Sequence, residues 1–526
     1  MNTHVSCATA RLTCCVTGAF LVMGAMARAE VRYVSPSGSD DPPYTNWATA
    51  ARHIQSAVDA CVNGDRVDVA EGQYVLASTL VVAKGITVRA AGERTRTIID
   101  GAGAYTCLQM RHLDAMVCGF TITNGVGGVY INNGGTLRAC EVAGCNGVAG
   151  GGVYVYTRGV IADCIIRANT SLNGGGGVFL DGGGTLTNCQ IVNNCSKTHG
   201  GGIYLAGGSP EVFDCVIEHN RAMNQGGGVN FNEGSGGKSI LSKCTIRGNQ
   251  AASGGGLYLF KGTVRNCLIY NNIATDGGAA FVKQGLFESC TIALNCSTDG
   301  VGGMRLSGGG SIENSIVYYN QRANYGTDGG GMTFDYTCIF PNPGGTGNIT
   351  NDPQFLQLDD EEFHCAQQSP CVDAGINRDW MVGATDLDGM PRIWNGRVDM
   401  GVYEMVAPGF IDITTTPTWV SYNTMQFPVA GTNNELIVGG MYVSNAANGV
   451  RVSFPEGLAW VTPAVPLNVG ANRIYVAGTN EFGVTFRDSV VITRGGPGTE
   501  APFVDVTSEY AWVRHTVTAY AVAGTN

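Results

Sequence analysis

The pentapeptide Gly-Gly-apolar-variable-apolar occurs nine times between Gly127 and Phe334, as GGVYI, GGVYV, GGVFL, GGIYL, GGVNF, GGLYL, GGAAF, GGMRL and GGMTF. The copies begin at Gly127, Gly151, Gly176, Gly201, Gly227, Gly255, Gly277, Gly302 and Gly330, spaced 22 to 28 residues apart. A unit of that size cannot bury its apolar residues alone and gains a core by stacking on its neighbours. A second stripe runs in phase, apolar-x-x-Cys-x-(Ile/Val)-x-x-Asn, as in LTNCQIVNN and LSKCTIRGN. Its cysteines are Cys118, Cys140, Cys164, Cys189, Cys215, Cys244, Cys267, Cys290 and Cys338, with Ser315 between the last two. Its asparagines are Asn169, Asn194, Asn220, Asn249, Asn272, Asn295 and Asn320.

Stacked parallel strands lie about 4.8 Å apart, so one position repeated per coil becomes a ladder of like side chains. The Cys and Ile/Val columns predict a core. Asparagine tolerates the left-handed conformation and can hydrogen-bond along a stack, so its column predicts a bend between sheets. The Gly-Gly column predicts a second tight corner. The expected fold class is all-β, a parallel β-helix with one coil per repeat. With 78 glycines but only 17 prolines and no G-X-Y period, the chain is not collagen, and 44% hydrophobic residues are too many for a disordered Gly-rich tract. At 526 residues more than one domain is expected.

Residues 1–29 read as a secretory signal, with Arg11, an apolar stretch through Phe20-Leu21-Val22-Met23, and Ala27-Arg28-Ala29 as the cleavage site. A lipoprotein signal at Cys15 fits less well, because Cys14 precedes it and the apolar stretch lies downstream. No later run predicts a transmembrane helix. The expected protein is secreted or outer-membrane-associated at the cell surface, and monomeric. The net charge of −11 becomes −13 without Arg11 and Arg28. No Lys/Arg stripe offsets it, which argues against nucleic acid as a partner.

Residues 48–61 carry apolar residues at Ala51, Ile54, Ala57, Val58 and Cys61, a helical spacing. Asn63-Gly64-Asp65 ends that helix and RVDVAEGQY follows as a strand. The stretch AARHIQSAVDACVNGDRVDVAEGQY, followed by LVVAKGITVRAAG and TIIDGAG, resembles the N-terminal cap and first rungs of right-handed parallel β-helix proteins of the pectin-lyase-like superfamily. The segments NQAASGGGLYL and NIATDGGAAF resemble polymorphic outer membrane protein repeats. Beyond Phe340, NITNDPQFLQ, SPCVDAG and DLDGMPRIWNGRVDMGVYE resemble the closing segment of secreted bacterial β-helix proteins. These likenesses imply a right-handed β-helix over 30–407 with caps at both ends. They imply architecture rather than chemistry.

Ala407-Pro408-Gly409 reads as a linker. GFIDITTTPTWVSYNTMQFPVAGTN from Gly409 then matches PFVDVTSEYAWVRHTVTAYAVAGTN from Pro502, 93 residues on. Alternating runs such as ELIVGGMYVS and DSVVITR predict an Ig-like β-sandwich over 408–496, with a second, truncated copy at 497–526.

Outward positions carry the candidate chemistry. The variable position of the pentapeptide gives Tyr130, Tyr154, Phe179, Tyr204, Asn230, Tyr258, Ala280, Arg305 and Thr333. Its aromatics beside a bare glycine strip suit a polysaccharide or cell-surface glycan, or stack on one another. The residue before each cysteine gives Asp163, Asn188, Asp214 and Lys243; the third after it gives Arg167, Glu218, Arg247 and Tyr270, with His219 adjacent to Glu218. Asp163 and Asp214 fall two rungs apart, about 9.6 Å, near the upper edge of inverting-glycosidase geometry. Lys243 beside Asp214 and Arg247 beside Glu218 equally suit cross-rung ion pairs. The Asn-Thr-Asp and Gly-His-Gly motifs of polygalacturonase-type hydrolases are missing.

Asp386 and Asp388 in DLDG are candidate Ca²⁺ ligands, and no other cofactor is expected. Cys365 and Cys371 stand outside the ladder as the favoured single disulfide, while the stacked cysteines read as buried thiols. The expected function is a non-catalytic adhesin or glycan-binding scaffold. The competing function is a polysaccharide lyase or glycoside hydrolase acting on acidic polysaccharide through Asp163, Asp214, Glu218 and Arg247.

Overall fold

One coil shows how the whole stack is made. Strand Val153–Val155 leads to Val160–Ala162, then Ile165–Arg167, then Thr170–Ser171, and a glycine corner returns the chain to Val178–Leu180 directly above its start. Every strand pairs in parallel with its counterpart one coil on, as in Val153↔Val178 and Ile166↔Ile191. In the computed structural model, which describes residues 29–232, 239–405, 411–434, 437–438, 440–479, 485–497 and two short later strands, these pairings build a parallel β-helix of about eleven turns. Among the described residues its first wall has eleven strands, from Leu80–Val82 to Tyr325–Thr327. The second wall has thirteen, from Val31–Val34 to Met332–Asp335. The third has twelve, from Gly72–Val75 to Cys338–Ile339, and a short fourth has seven, from Asn146–Gly147 to Cys296–Ser297. The expected leader, apart from Ala29, the linker at Ala407 and most of 497–526 lie outside the described residues.

Two corners per coil share one design. A residue with positive φ turns the chain, and the next residue is buried in the ladder. Asp163 (φ 57) precedes Cys164 and Ala168 (φ 53) precedes Asn169; Asp214 (φ 54) precedes Cys215 and His219 (φ 55) precedes Asn220. The sequence reading placed the left-handed turn on the asparagines themselves. It falls one residue earlier, because the asparagine side chain must point inward to bond.

Asn194 shows the pattern. Its backbone N–H donates to Asn220 Oδ1 (2.9 Å), its Nδ2 donates to the Ile166 carbonyl (2.8 Å), and its Oδ1 accepts the Asn169 N–H (3.0 Å). The ladder starts at Cys145, whose N–H donates to Asn169 Oδ1, and ends where the Asn320 N–H donates to Asn324 Oδ1 in its own turn.

The cysteine column is shorter than expected. Cys140, Cys164, Cys189, Cys215, Cys244, Cys267 and Cys290 are buried in it. At its ends the register differs. Ile122 pairs with Val142, so Phe120 takes the ladder position and Cys118 sits outward beside Arg138. Cys338 pairs with Ile316, which puts Thr337 in line with Ser315. Two first-wall positions also move. Tyr258 pairs with Phe281, not Ala280, and Thr333 belongs to the second wall opposite Ser311.

The glycine corner is a triplet. Gly200 has φ +59, and a Cβ on Gly201 would lie 2.4 Å from the Gly227 carbonyl oxygen. At Gly277 the left-handed residue is already the first glycine of the pentapeptide, which shifts that copy by one and places Phe281 outward.

Helix α1 (Ile54–Ala60) closes the N-terminal end, burying Ile54, Ala57 and Val58. It is shorter than the periodicity predicts, since Ala51 bridges to Val34 instead. Residues through Asp352, with Met400–Val402, form one compact unit, in which the Gly401 N–H donates to the Asn314 carbonyl and the Val402 N–H to Thr291 Oγ1. Residues 353–399, with the rest of the chain, form a second. Its C-terminal part consists of small, mainly antiparallel sheets around Met441, Val443, Trp460, Ile474, Val476 and Ile492. There Asp412 pairs with Thr432 and Ile413 with Gly431; the second sequence copy pairs Asp505 with Thr525 and Val506 with Gly524, the same register 93 residues on.

Candidate functional site

The first wall carries the aromatic strip. Its strands alternate inward and outward residues, so Tyr130, Tyr154, Phe179 and Tyr204 stack at successive rungs, half-buried, with centroids 5.4, 5.1 and 4.8 Å apart. Interplanar angles of 30° to 38° show offset rings packed face toward face. Ring faces are therefore largely spent on one another, and solvent meets the edges and hydroxyls. Tyr154 donates its hydroxyl to Asp181 (2.7 Å), and burial together with that bond pushes its ionisation up. The Tyr130 hydroxyl lies 3.3 Å from Asn132.

Asn230 breaks the strip. It pairs with Tyr204 below and Tyr258 above, and it is only 3% exposed with its Nδ2 bonded to nothing. Above the break Tyr258, itself buried, stacks on Phe281 at 5.3 Å and 11°. Phe281 and Asp181 are the members that sequence reasoning missed. The shortened interval before Gly277 was the signal for the first; nothing in the repeat marks the second.

Asp163 and Asp214 lie at the corner between the second and third walls and Glu218 on the third, and the structure does not gather them. Asp163 accepts from Asn188 Nδ2 and from Arg138 Nε, both at 2.8 Å, which hold its carboxyl below the usual range. Asp214 has Lys243 at 3.9 Å. Both are corner residues with positive φ, which accounts for short polar side chains there without catalysis. Glu218, Arg247 and Tyr270 do form a cluster. Arg247 donates to Glu218 (2.6 Å) and to the Tyr270 hydroxyl (2.9 Å), and these bonds raise the guanidinium's already high pKa.

A cleft of about 480 Å³ lies at the N-terminal cap, lined by Arg52, His53, Ser56, Gln73, Tyr74 and Val75 among others. None of the sequence-derived candidates lines it.

In the second unit, Asp386 does not present its oxygens to a metal. Oδ1 accepts the N–H groups of Asp388 and Met390, and Oδ2 that of Glu404. Asp388 bonds His364 Nε2 (2.6 Å). Among the described residues no three His, Cys, Asp or Glu side chains converge as a metal site. His364 also bonds Glu362 through Nδ1 and stacks on Tyr403 at 3.8 Å. Burial opposes its charge, but the two carboxylates outweigh burial and hold its pKa at about 9. Beside it, burial raises Glu404 to about 9 and Asp399 to about 6. A cavity of about 310 Å³ touches His364, Tyr403 and Glu404. Cys365 and Cys371 are in contact as free thiols.

The family described as "Right handed beta helix region" matches residues 107–263, a stretch that lies within the parallel β-helix. No curated protein matches it. Among solved structures, pectate lyase Pel9A is similar at 12% identity over 72% of this chain and 97% of that one, with a TM-score of 0.43. XylC in complex with xylose is similar at 8% identity over 72% and 98%, with a TM-score of 0.46. A rhamnogalacturonan lyase is similar at 14% identity over 69% and 99%, with a TM-score of 0.25. At these identities and scores the likenesses assign no residue and no substrate. Among the described residues no helix is long and apolar enough to cross a membrane.

Proposed function

We propose that the protein is an exported, non-catalytic scaffold whose first wall binds a polysaccharide or cell-surface glycan, with the Ig-like modules of 408–496 and 497–526 as spacers. The observation that carries this is the strip from Tyr130 to Tyr204, with half-exposed ring edges and a phenol–carboxylate pair at Tyr154 and Asp181, beside a corner that has no side chains. The exposed part of each ring offers apolar surface to the C–H groups of a sugar while hydroxyl and carboxylate bond its hydroxyls. With an acidic chain and Asp181 at the rim, a neutral glycan suits the wall better than a polyuronate.

Affinity electrophoresis or a glycan array with the full chain tests it. Tyr154→Ala and Phe179→Ala should each weaken binding at least tenfold, and Tyr154→Phe should weaken it less. Incubation with polysaccharides should yield no unsaturated product. The lyase reading rests on the Glu218–Arg247–Tyr270 cluster, which puts a carboxylate, a cation and a phenol together with His219 next in sequence to Glu218. Turnover abolished by Glu218→Gln or Asp214→Ala would establish that reading and remove the scaffold one.

A further inference from the structure

In the coils from Gly152 to Gly256 one contact recurs across the glycine corner, between the third glycine and the ladder asparagine. A Cβ on Gly177 would lie 2.9 Å from Asn194 Nδ2, and one on Gly256 3.1 Å from Asn272 Nδ2. The coil that begins at Thr106 inverts it. Cys107 stands in the glycine column, one coil below Gly128, and Gly125 stands in the asparagine column, where a Cβ would meet the Cys107 sulfur at 2.6 Å. The next member of the asparagine column is Cys145. Its thiol lies in hydrogen-bond contact with that of Cys107, and both are fully buried.

We propose that Cys107 and Cys145 form a disulfide that staples the first coil of the asparagine-lined corner to the second. Their geometry differs from that of the sulfur column. Neighbours such as Cys215 and Cys244 sit at equivalent places on adjacent parallel coils, so their Cα–Cβ bonds run side by side rather than toward each other. Cys107 stands in the first-wall glycine column and Cys145 in the asparagine column one coil on, so the pair spans the corner rather than stacking along one column. The bare positions Gly101 and Gly125 leave the Cys107 sulfur its room. The staple also stands where the asparagine ladder has run out, at the rung whose neighbour below offers no side chain to bond.

The oxidant is a small disulfide such as oxidised glutathione. The Cys145 thiolate attacks one of its sulfurs and expels a thiolate, leaving a mixed disulfide. Cys107 then loses its proton and attacks the Cys145 sulfur, expelling the second small thiol. Two protein thiols are oxidised as one small disulfide is reduced. Because both sulfurs are closed to solvent in the folded chain, the bond forms before these two coils close.

The full chain should be refolded in a glutathione redox buffer, denatured, alkylated without reduction, digested and read by mass spectrometry. The expected result is one linked peptide pair containing Cys107 and Cys145, two hydrogens lighter than the separate peptides, with Cys140, Cys164, Cys189, Cys215, Cys244, Cys267 and Cys290 alkylated. A Cys107→Ala, Cys145→Ala double variant should then melt at one temperature in oxidising and reducing buffers, where the parent loses several degrees on reduction and refolding. Alkylation of both Cys107 and Cys145 in cooperatively folding protein, or a link from either to the sulfur column, overturns the proposal.

Discussion

Asn220 is 1% exposed and bonds in both directions, donating to the Ile191 carbonyl at 2.7 Å and to Asn249 Oδ1 while accepting the Asn194 N–H. Asn220→Ala strands the Asn194 N–H in the interior, and each buried group left unpaired costs about 1–3 kcal/mol. Guanidinium unfolding of that variant should show a loss of at least this size, with Asn220→Leu no better. Corner residues obey a different rule. Asp214 needs a positive φ, not its charge, so Asp214→Asn should leave stability within about 0.5 kcal/mol. Asp214→Val should cost about 1–2 kcal/mol, the price of left-handed backbone for a branched residue. A stability loss on Asp214→Asn as large as that on Asp214→Val would refute the corner reading. Asn230 supplies a third case at this scale. Asn230→Tyr should join the two aromatic stacks and raise the melting temperature, since a ring pair adds about 0.5–1.5 kcal/mol; a lowered melting temperature would mean the break is too tight for a ring.

At the scale of elements, the columns were legible because a strand tolerates no change of period: an inward residue slipped by one becomes outward. Corners tolerate insertions, and that is where the reading slipped, at Cys118, Ala280, Thr333 and Cys338. Each lies at an end of the stack or beside a shortened interval. Contacts within one column were legible, as at Asn194–Asn220 and Glu218–Arg247, but a bond from a strand residue to a turn residue of the next coil left no mark, which is why the Tyr154–Asp181 bond was invisible in the sequence. The paired functions of Asp386 and Asp388 were hidden for the same reason, since their partners are backbone amides and His364.

Titration separates the two units. His364, Glu404 and Asp399 hold their protons more tightly folded than unfolded, where the values are about 6.5, 4.3 and 3.9. Their contribution is present below those unfolded values and is lost as pH rises, through about 6 for Asp399 and about 9 for His364 and Glu404. Asp68 is the reverse. Burial opposes its charge, but bonds from Arg89 and Arg66 win and lower its pKa, so its contribution is lost as pH falls below the unfolded value. Melting curves across pH should show the second unit loosening in alkali and the first in acid, with His364→Phe shrinking the alkaline loss. A pH-independent second transition would contradict this.

For the whole molecule, stability is a sum of like coils and the contacts between neighbours. Deleting residues 164–188 removes one coil and joins Asp163 to Cys189, so each remaining residue keeps its column. That variant should fold cooperatively and melt somewhat lower. Deleting only residues 164–166 shifts the columns against one another and should abolish folding, as read by circular dichroism. The same modularity leaves the aromatic strip tunable in length without change to its parts.

A stack of identical rungs has an obvious hazard, since its last rung is a template for the first rung of another molecule. Asn324 answers it. By folding back to fill the acceptor place above Asn320, it supplies from within the chain what a further coil would have brought. In the language of polymer chemistry it is a chain terminator: growth of the asparagine row stops at a length written in the gene, and the row offers no open valence for a second copy to extend into a fibre.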